Sequence, residues 1–274
     1  MKFSYAAFRS DNEWLEKASK YKLEKMAEIY NFFNADILIP FASFIYFSSS
    51  ENFGLNKCMN KVKITSDFLK NNKIRYCFLN PNEPEVEIVQ LLKNYDLRNS
   101  INDNSVKFWD NKIENIEPYN ESFEISEISD VFIKDFLHRI KKKNSIFLMH
   151  LIRLLSFKYF FGDTVVYILD KNEIYTLNFY SISRSDKISR SKIDLQMKSK
   201  RFAFLLKETY GLDTITVNGC FDNVNKNGFE RFIRSIGFVV LNHVERGINI
   251  RDLLTPKIFN RIEDIFLRLF KKNS

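Results

Sequence analysis

The stretch Ile37-Leu38-Ile39-Pro40-Phe41-Ala42-Ser43-Phe44-Ile45-Tyr46-Phe47 decides the fold that we predict for the first third of this chain. It carries no charge and is rich in β-branched and aromatic residues, and serines follow it directly, so it predicts a buried strand and then a turn. Pro40 has no N–H to donate to a sheet, and the strand should therefore break or bulge there. Beyond that break, Ser43 and Tyr46 would face a cleft at the end of the strand.

Helix and strand patterns alternate around this stretch. Apolar residues recur at helical spacing over residues 14–33, and a second helix with Thr65 or Ser66 as its cap is predicted before residue 72. Residues 73–79 alternate as a strand does and stop before a proline, and residues 85–95 predict a further helix. The alternation predicts an α/β layer whose open sheet face must be covered by the rest of the chain or by a partner.

Part of this sequence resembles a known family. The segments Phe3-Ser4-Tyr5-Ala6, Pro40-Phe41-Ala42-Ser43-Phe44 and Glu51-Asn52 are similar to the second half of metallo-β-lactamase-fold hydrolases, in the branch that contains the CMP-N-acetylneuraminate hydroxylase-like proteins. The resemblance implies that residues 1–97 form half of an αββα sandwich. It also implies a substrate-facing side lined by Ser43, Tyr46, Glu51 and Asn52, whereas it identifies no catalytic residue.

The departures from the family pattern shape the functional expectation. Ser49 stands where the family has a histidine, and the family's H-x-H-x-D-H ligand segment belongs to a first half that this chain lacks. The resemblance therefore implies no metal ligands in this chain, and zinc or iron would bind only if a partner chain completed the site. The expected protein is a hydrolase-like scaffold, incomplete alone, that acts with such a partner, as a homo-oligomer, or as a degenerate homologue.

The remaining chain predicts a helical segment and then a smaller α+β domain. Residues 98–162 are interpreted as a polar linker followed by two helices that break near Lys143-Asn144-Ser145. Residues 163–274 predict a β-hairpin at 164–180, a strand at 192–197, a helix at 200–210 closed by Gly211, a strand at 213–219, and helices at 228–242 and 256–270. That order is similar to a sterol carrier protein-like domain, and the resemblance implies an apolar groove there.

Composition and charge limit the classes of function. The chain has 274 residues, 45% of them hydrophobic, which is enough for a substantial core, and a formal net charge of +8. The charge is compatible with an anionic ligand, a lipid or a nucleic acid, but acidic residues interrupt the basic region at 184–201, so nucleic acid is disfavoured. Three separated cysteines, no leader pattern and no spanning segment predict a cytoplasmic protein.

No catalytic motif stands out in the sequence. The three histidines, His138, His150 and His243, have no paired spacing and are interpreted as structural, and neither a nucleophile elbow nor a phosphate-binding glycine loop is present. An enzyme whose catalytic residues are scattered through the sequence is one open interpretation, and two others remain beside it. One is the incomplete hydrolase-like scaffold, and the alternative is a non-enzymatic module that binds an apolar or anionic ligand, a small molecule or a lipid, through its basic C-terminal domain.

Overall fold

The structure, a computed structural model, describes residues 12–40, 46–82, 85–114, 116–119, 125–185, 189–243 and 245–249. The chain divides into two compact units, unit 1 (Met1–Ser122) and unit 2 (Phe123–Ser274). It is a mixed α/β protein, in general agreement with the predicted class, and its one extended sheet among the described residues has five strands. The segment Phe3-Ser4-Tyr5-Ala6 and the helix predicted at 256–270 lie outside the described residues.

Helices dominate the described part of unit 1. They are α1 (Asn12–Phe32), α2 (Val62–Asn71), α3 (Ile88–Lys93) and α4 (Tyr95–Glu114), and a 3₁₀ turn covers Phe53–Cys58.

Helix α3 lies within the helix predicted at 85–95 and α1 also matches its prediction, whereas α2 and α4 differ from the predictions. The helix predicted at 14–33 is confirmed as α1, whose Leu15 and Ala18 are fully buried. The caps predicted for α2 are wrong, because this helix begins at Val62, and Thr65 and Ser66 are buried within it. The residues 98–114, expected to be part of a polar linker, belong to α4.

The strand predicted at 73–79 is wrong in extent, and the strand predicted at 37–47 lies in the described residues only at 37–40 and 46–47. Among the described residues at 37–40 and 73–79, Leu38 and Tyr76 form a single parallel bridge. The Leu38 N–H donates to the Arg75 carbonyl at 2.9 Å, and the Cys77 N–H donates to the Leu38 carbonyl at 3.0 Å. The two segments therefore meet in parallel without continuing as a ladder.

Buried asparagines take the place of neighbouring strands in unit 1. Asn102 on α4 accepts a hydrogen bond from the Phe78 N–H at 2.7 Å and donates one to the Tyr76 carbonyl at 3.1 Å. Asn56 accepts from the Phe47 N–H at 2.9 Å and donates to the Phe47 carbonyl at 2.6 Å. Because backbone polar groups in a core must be paired, these amides explain how strand-like segments are buried without a sheet.

Unit 2 contains a sheet surrounded by helices. The strands are β1 (Thr164–Ile168), β2 (Glu173–Leu177), β3 (Ile182–Arg184), β4 (Leu195–Met197) and β5 (Asp222–Asn223), in the order β3-β2-β1-β4-β5. The hairpin predicted at 164–180 is confirmed by the antiparallel pair β1–β2, whereas β1 and β4 run parallel. Alternate residues Val166 and Ile168 are fully buried, as a half-covered sheet requires.

Two helices of unit 2 precede the sheet, two lie between β4 and β5, and two follow it among the described residues. They are α5 (Asp130–Lys143), α6 (Ile146–Leu155), α7 (Ser199–Lys207), α8 (Gly211–Asn218), α9 (Gly228–Ile236) and α10 (Val239–His243). The break predicted near residue 144 is confirmed, and the side chains of Ser129 and Ser145 cap α5 and α6.

The strand predicted at 213–219 is wrong, because these residues belong to α8 and its C-terminal cap. The β-branched residues of this segment favour a strand locally, but Leu212, Ile215 and Thr216 are buried on one helical face. Gly219 then ends the helix in the left-handed conformation, with φ of 64°. Gly211, predicted to close the preceding helix, is instead the first residue of α8. The single helix predicted at 228–242 is divided into α9 and α10.

Asp194 connects three elements of unit 2. Its backbone N–H donates to the Val165 carbonyl at 2.8 Å, and its carboxylate accepts from the Val165 N–H at 2.9 Å. The same carboxylate accepts from Arg231 Nε on α9 at 2.6 Å. The side chain is nearly fully buried, and it therefore fixes α9 against the β1–β4 pair.

Candidate ligand-binding cleft

Three of the four site residues predicted in unit 1, Tyr46, Glu51 and Asn52, are described, and they lie around one turn. Ser43 lies outside the described residues. The half-buried ring of Tyr46 packs edge-to-face on Phe53, with 5.9 Å between ring centroids. The Glu51 N–H donates to Ser49 Oγ at 3.3 Å, and the buried Asn52 donates its N–H to the Ser49 carbonyl at 3.1 Å. These contacts order the turn before the 3₁₀ segment, and the roles predicted for the side chains stay predictions.

The histidines are separated in the structure. His138 lies on α5 and is exposed, whereas the ring of His150 on α6 contacts the rings of Phe179 and Tyr180, each at 4.8 Å between centroids. His243 shares a hydrogen bond of 2.7 Å between its Nδ1 and Asp213 Oδ2. Within the described ranges, no three His, Cys, Asp or Glu side chains are grouped so that they could hold a metal ion.

A cleft of about 300 Å³ opens in unit 2 among α5, the end of α7, α8 and α10. Its floor is apolar and is formed by Phe136, Ile140, Leu205, Leu212 and Val239. The first four of these residues are almost completely buried, so the floor belongs to the core of the unit and is already formed without a ligand.

The rim of the cleft carries most of its charge. It includes the cations Arg139, Lys142 and Lys143 and the carboxylates Glu208 and Glu245, a balance of three against two. The polar part of the lining also includes Thr209, Tyr210, Asn242 and His243. The arrangement is therefore an apolar base under a polar, weakly basic mouth.

Two of the rim cations are held in place by the protein. Arg139 Nη2 donates to the Leu206 carbonyl at the end of α7 at 2.5 Å, and burial lowers the pKa of this guanidinium. Lys143 Nζ donates to the Asn242 carbonyl at 2.9 Å and to Glu245 Oε1 at 2.8 Å. The hydrogen bond and the charge of Lys143 lower the pKa of Glu245, which stays ionised at neutral pH.

One wall of the cleft is formed by His243 and Tyr210. The ring of Tyr210 lies edge-to-face on the His243 ring, with 4.6 Å between centroids, and Asp213 fixes the imidazole from the first turn of α8. The side chain of His243 is largely buried, whereas that of Tyr210 is mostly exposed. The wall thus offers an oriented aromatic surface, which suits a flat ligand.

Sequence reasoning missed this cleft because its lining spans residues 136–245. The predicted groove was placed in residues 163–274, but five lining residues come from α5, before that range. The local signal was the pair Phe136 and Ile140, four residues apart on a helix whose last turn is basic. That pattern predicts a buried helical face, but it does not identify the helices that pack around it.

Comparisons with family profiles, with curated proteins and with solved structures found no match to this chain. The resemblances to metallo-β-lactamase-fold hydrolases and to sterol carrier protein-like domains therefore stay predictions. Among the described residues, no helix combines the length and the apolar character that a membrane span requires.

Proposed function

We propose that this protein is a binding module for a small amphipathic anion, with a flat apolar body and one negatively charged group, and that the ligand occupies the cleft of unit 2. The observation that supports this function is the preformed apolar floor below Arg139, a cation that is held by the carbonyl of Leu206. Small-molecule sites commonly combine an apolar cavity with a few oriented polar groups.

The apolar floor limits the size and shape of the ligand. A cleft of about 300 Å³ is at the small end of the range for small-molecule sites, so it fits one or two fused rings better than a long lipid chain. Each 100 Å² of apolar ligand surface that is buried there contributes about 2.5 kcal/mol before the costs of association are subtracted. Most of the affinity would therefore come from the floor and the Tyr210–His243 wall.

The rim determines the sign of the preferred charge. Lys143 and Glu245 neutralise each other, which leaves Arg139 and Lys142 opposite Glu208. Because burial opposes the charge of Arg139, an anion beside the guanidinium would stabilise its charged form. Binding should be stronger for an anionic aromatic than for its neutral analogue and should weaken with salt.

The proposal is tested by calorimetric titration of the full chain with naphthalene-2-sulfonate and with naphthalene as the neutral analogue. Thr209→Trp narrows the mouth and should lower the affinity at least tenfold, whereas Val217→Trp, on the exposed side of α8 and outside the lining, should leave it unchanged. Lys142→Ala should weaken binding of the sulfonate, and the adjacent Lys141→Ala provides the matched control. Equal effects within each pair, or no binding at low salt, would rule out this cleft as the site.

A second candidate function is the incomplete hydrolase-like scaffold implied by the resemblance of residues 1–84. One observation favours it: residues 38 and 76, in the two predicted strands, are paired in parallel, the direction expected for neighbouring strands of an α/β layer. In this case the purified chain should contain substoichiometric zinc and iron by elemental analysis. Stoichiometric metal in the isolated chain would contradict its incompleteness, and this result is independent of the cleft titration.

A further inference from the structure

Helix α6 exposes an apolar face to solvent. Leu148 and Met149 are buried on its inner side, whereas the other side and the turn that follows form what we name the α6 face: Phe147, Leu151, Leu154, Leu155 and Phe157. Four of these side chains are largely exposed: Phe147 at 74%, Leu154 at 72%, Leu155 at 63% and Phe157 at 94%. Residues 147, 151 and 154 lie on the same side of a helix, so these side chains form one surface.

The segment around the α6 face carries only positive charge. Residues 136–162 contain no Asp or Glu, and their cations are Arg139, Lys141, Lys142, Lys143, Arg153 and Lys158. Arg153 and Lys143 are paired with Asp163 and Glu245. Lys141, before α6, and Lys158, after it, are exposed. Exposed cations therefore stand before and after α6 in the chain.

We propose that the α6 face binds the surface of an anionic lipid bilayer. The helix has ten residues, too few to cross the hydrocarbon core, but it is long enough to lie in the interface with its apolar side chains among the headgroups. Lys141 and Lys158 would then lie beside lipid phosphates. The α6 face, Lys141 and Lys158 include none of the residues that line the proposed ligand cleft, so this site does not depend on that function.

Other partners fit this surface less well. A nucleic acid would engage the lysines but would leave the exposed leucines without a favourable contact. A second copy of the chain in a twofold contact would bring the same cations of both copies together, because such an interface is self-complementary. An anionic bilayer satisfies both features at once, since apolar insertion and electrostatic attraction act on the same helix.

The proposal is tested by co-sedimentation of the full chain with phosphatidylcholine vesicles, with and without phosphatidylserine. We expect binding to the vesicles with phosphatidylserine and a loss of binding at high salt. The double variant Leu154→Glu/Phe157→Glu should weaken binding at least tenfold. Because both residues are exposed, the fold should be retained, which circular dichroism would check. Lys158→Ala should weaken binding about fivefold, as expected for one cation near an anionic surface.

The matched control is Ile125→Glu/Val131→Glu, which adds the same two charges at exposed apolar residues of unit 2 outside the basic segment. This control should bind less than twofold more weakly than the parent chain. Equal losses in the two double variants, binding that is independent of phosphatidylserine, or no vesicle binding would overturn the proposal. A concentration-dependent dimer that the α6 substitutions abolish, without vesicle binding, would identify a second copy as the partner instead.

Discussion

Units 1 and 2 contain similar strand-like sequence patterns, yet only unit 2 converts them into an extended sheet among the described residues. In unit 2, β1 and β2 are separated by the short turn at residues 169–172, so each strand finds its partner locally. In unit 1, the segments around Leu38 and Tyr76 are far apart in the chain and share one bridge. A strand pattern therefore indicates burial of an extended segment more reliably than it indicates a ladder.

The units also differ in how they satisfy buried backbone groups. Unit 1 uses the neutral amides of Asn56 and Asn102, and unit 2 adds the charged Asp194 to a regular ladder. A buried carboxylate that loses its partners, or a backbone that loses a carboxylate, should cost more free energy than a comparable change at an amide. The following experiments compare these two ways of pairing buried backbone groups, from the largest expected effect to the smallest.

Asp194→Ala should cause the largest loss of stability. It removes two charge-assisted hydrogen bonds, from the Val165 N–H and from Arg231, each worth about 1.5–3 kcal/mol, so the free energy of unfolding should fall by about 3–5 kcal/mol. Urea denaturation measures this change. Glu230→Ala, which removes the exposed i,i+4 pair with Arg234 on the same helix, should cost at most about 0.5 kcal/mol. Similar losses in the two variants would contradict the connecting role of Asp194.

Asn102→Leu tests the amide that replaces a strand in unit 1. The substitution keeps the approximate size of the side chain but leaves the Phe78 N–H and the Tyr76 carbonyl without their partner, at a cost of about 2–4 kcal/mol. Amide hydrogen exchange should show the loss of protection at Phe78. Asn104→Leu, exposed on the same helix, is the control and should change stability by less than about 0.5 kcal/mol. Unchanged protection at Phe78 would show that the amide is dispensable.

Gly219→Ala tests the C-terminal cap of α8, the helix that forms in unit 2 where the sequence predicts a strand. Because Gly219 has φ of 64°, a Cβ there should cost about 1–2 kcal/mol in thermal or chemical unfolding. Gly54→Ala in unit 1 is the matched control, since a Cβ at that position meets no atom within 4 Å. If both variants were equally stable, the left-handed cap would not be needed to end α8.

The smallest effect is expected in the alkaline titration of two buried tyrosines. Burial and the hydrogen bond with Glu173 raise the pKa of Tyr175 to about 12, whereas at Tyr76 the hydrogen bond with Ser66 opposes the rise caused by burial. The neutral Tyr175 therefore contributes stability that is present below pH 10 and is lost as the pH rises through about 12. Phenolate absorbance should lose a component near pH 12 in Tyr175→Phe, while Tyr76→Phe should remove one that titrates above the ordinary range of tyrosine.

The sequence predicts elements whose signals are local. The helical spacing of α1, the break between two helices near Asn144 and the β1–β2 hairpin depend on residues close in the chain, and all three are confirmed. Residues 213–219 were assigned wrongly because the β-branched residues Thr214, Ile215, Thr216 and Val217 favour a strand locally. Packing of one face of α8 overrides that preference.

The candidate sites show the same limit. Tyr46, Glu51 and Asn52 are neighbours because they are close in sequence, so the structure places them around one turn as their spacing requires. The cleft depends instead on contacts between distant segments, such as those from Arg139 to Leu206 and from Lys143 to Asn242. A single sequence contains no periodicity that specifies such pairs, and the lysines of α5 are indistinguishable from a solvated surface run until the helices are assembled.

The asparagines of unit 1 have a consequence for how this chain behaves at high concentration. A strand that lies at the margin of a sheet presents free amides and carbonyls, which can recruit the same segment of another molecule and start fibril growth. At Phe47 and Phe78 the side-chain amides already occupy such groups, so an incoming chain finds no template at those positions. We therefore expect single asparagines to limit pairing between copies of this chain at these two aromatic positions.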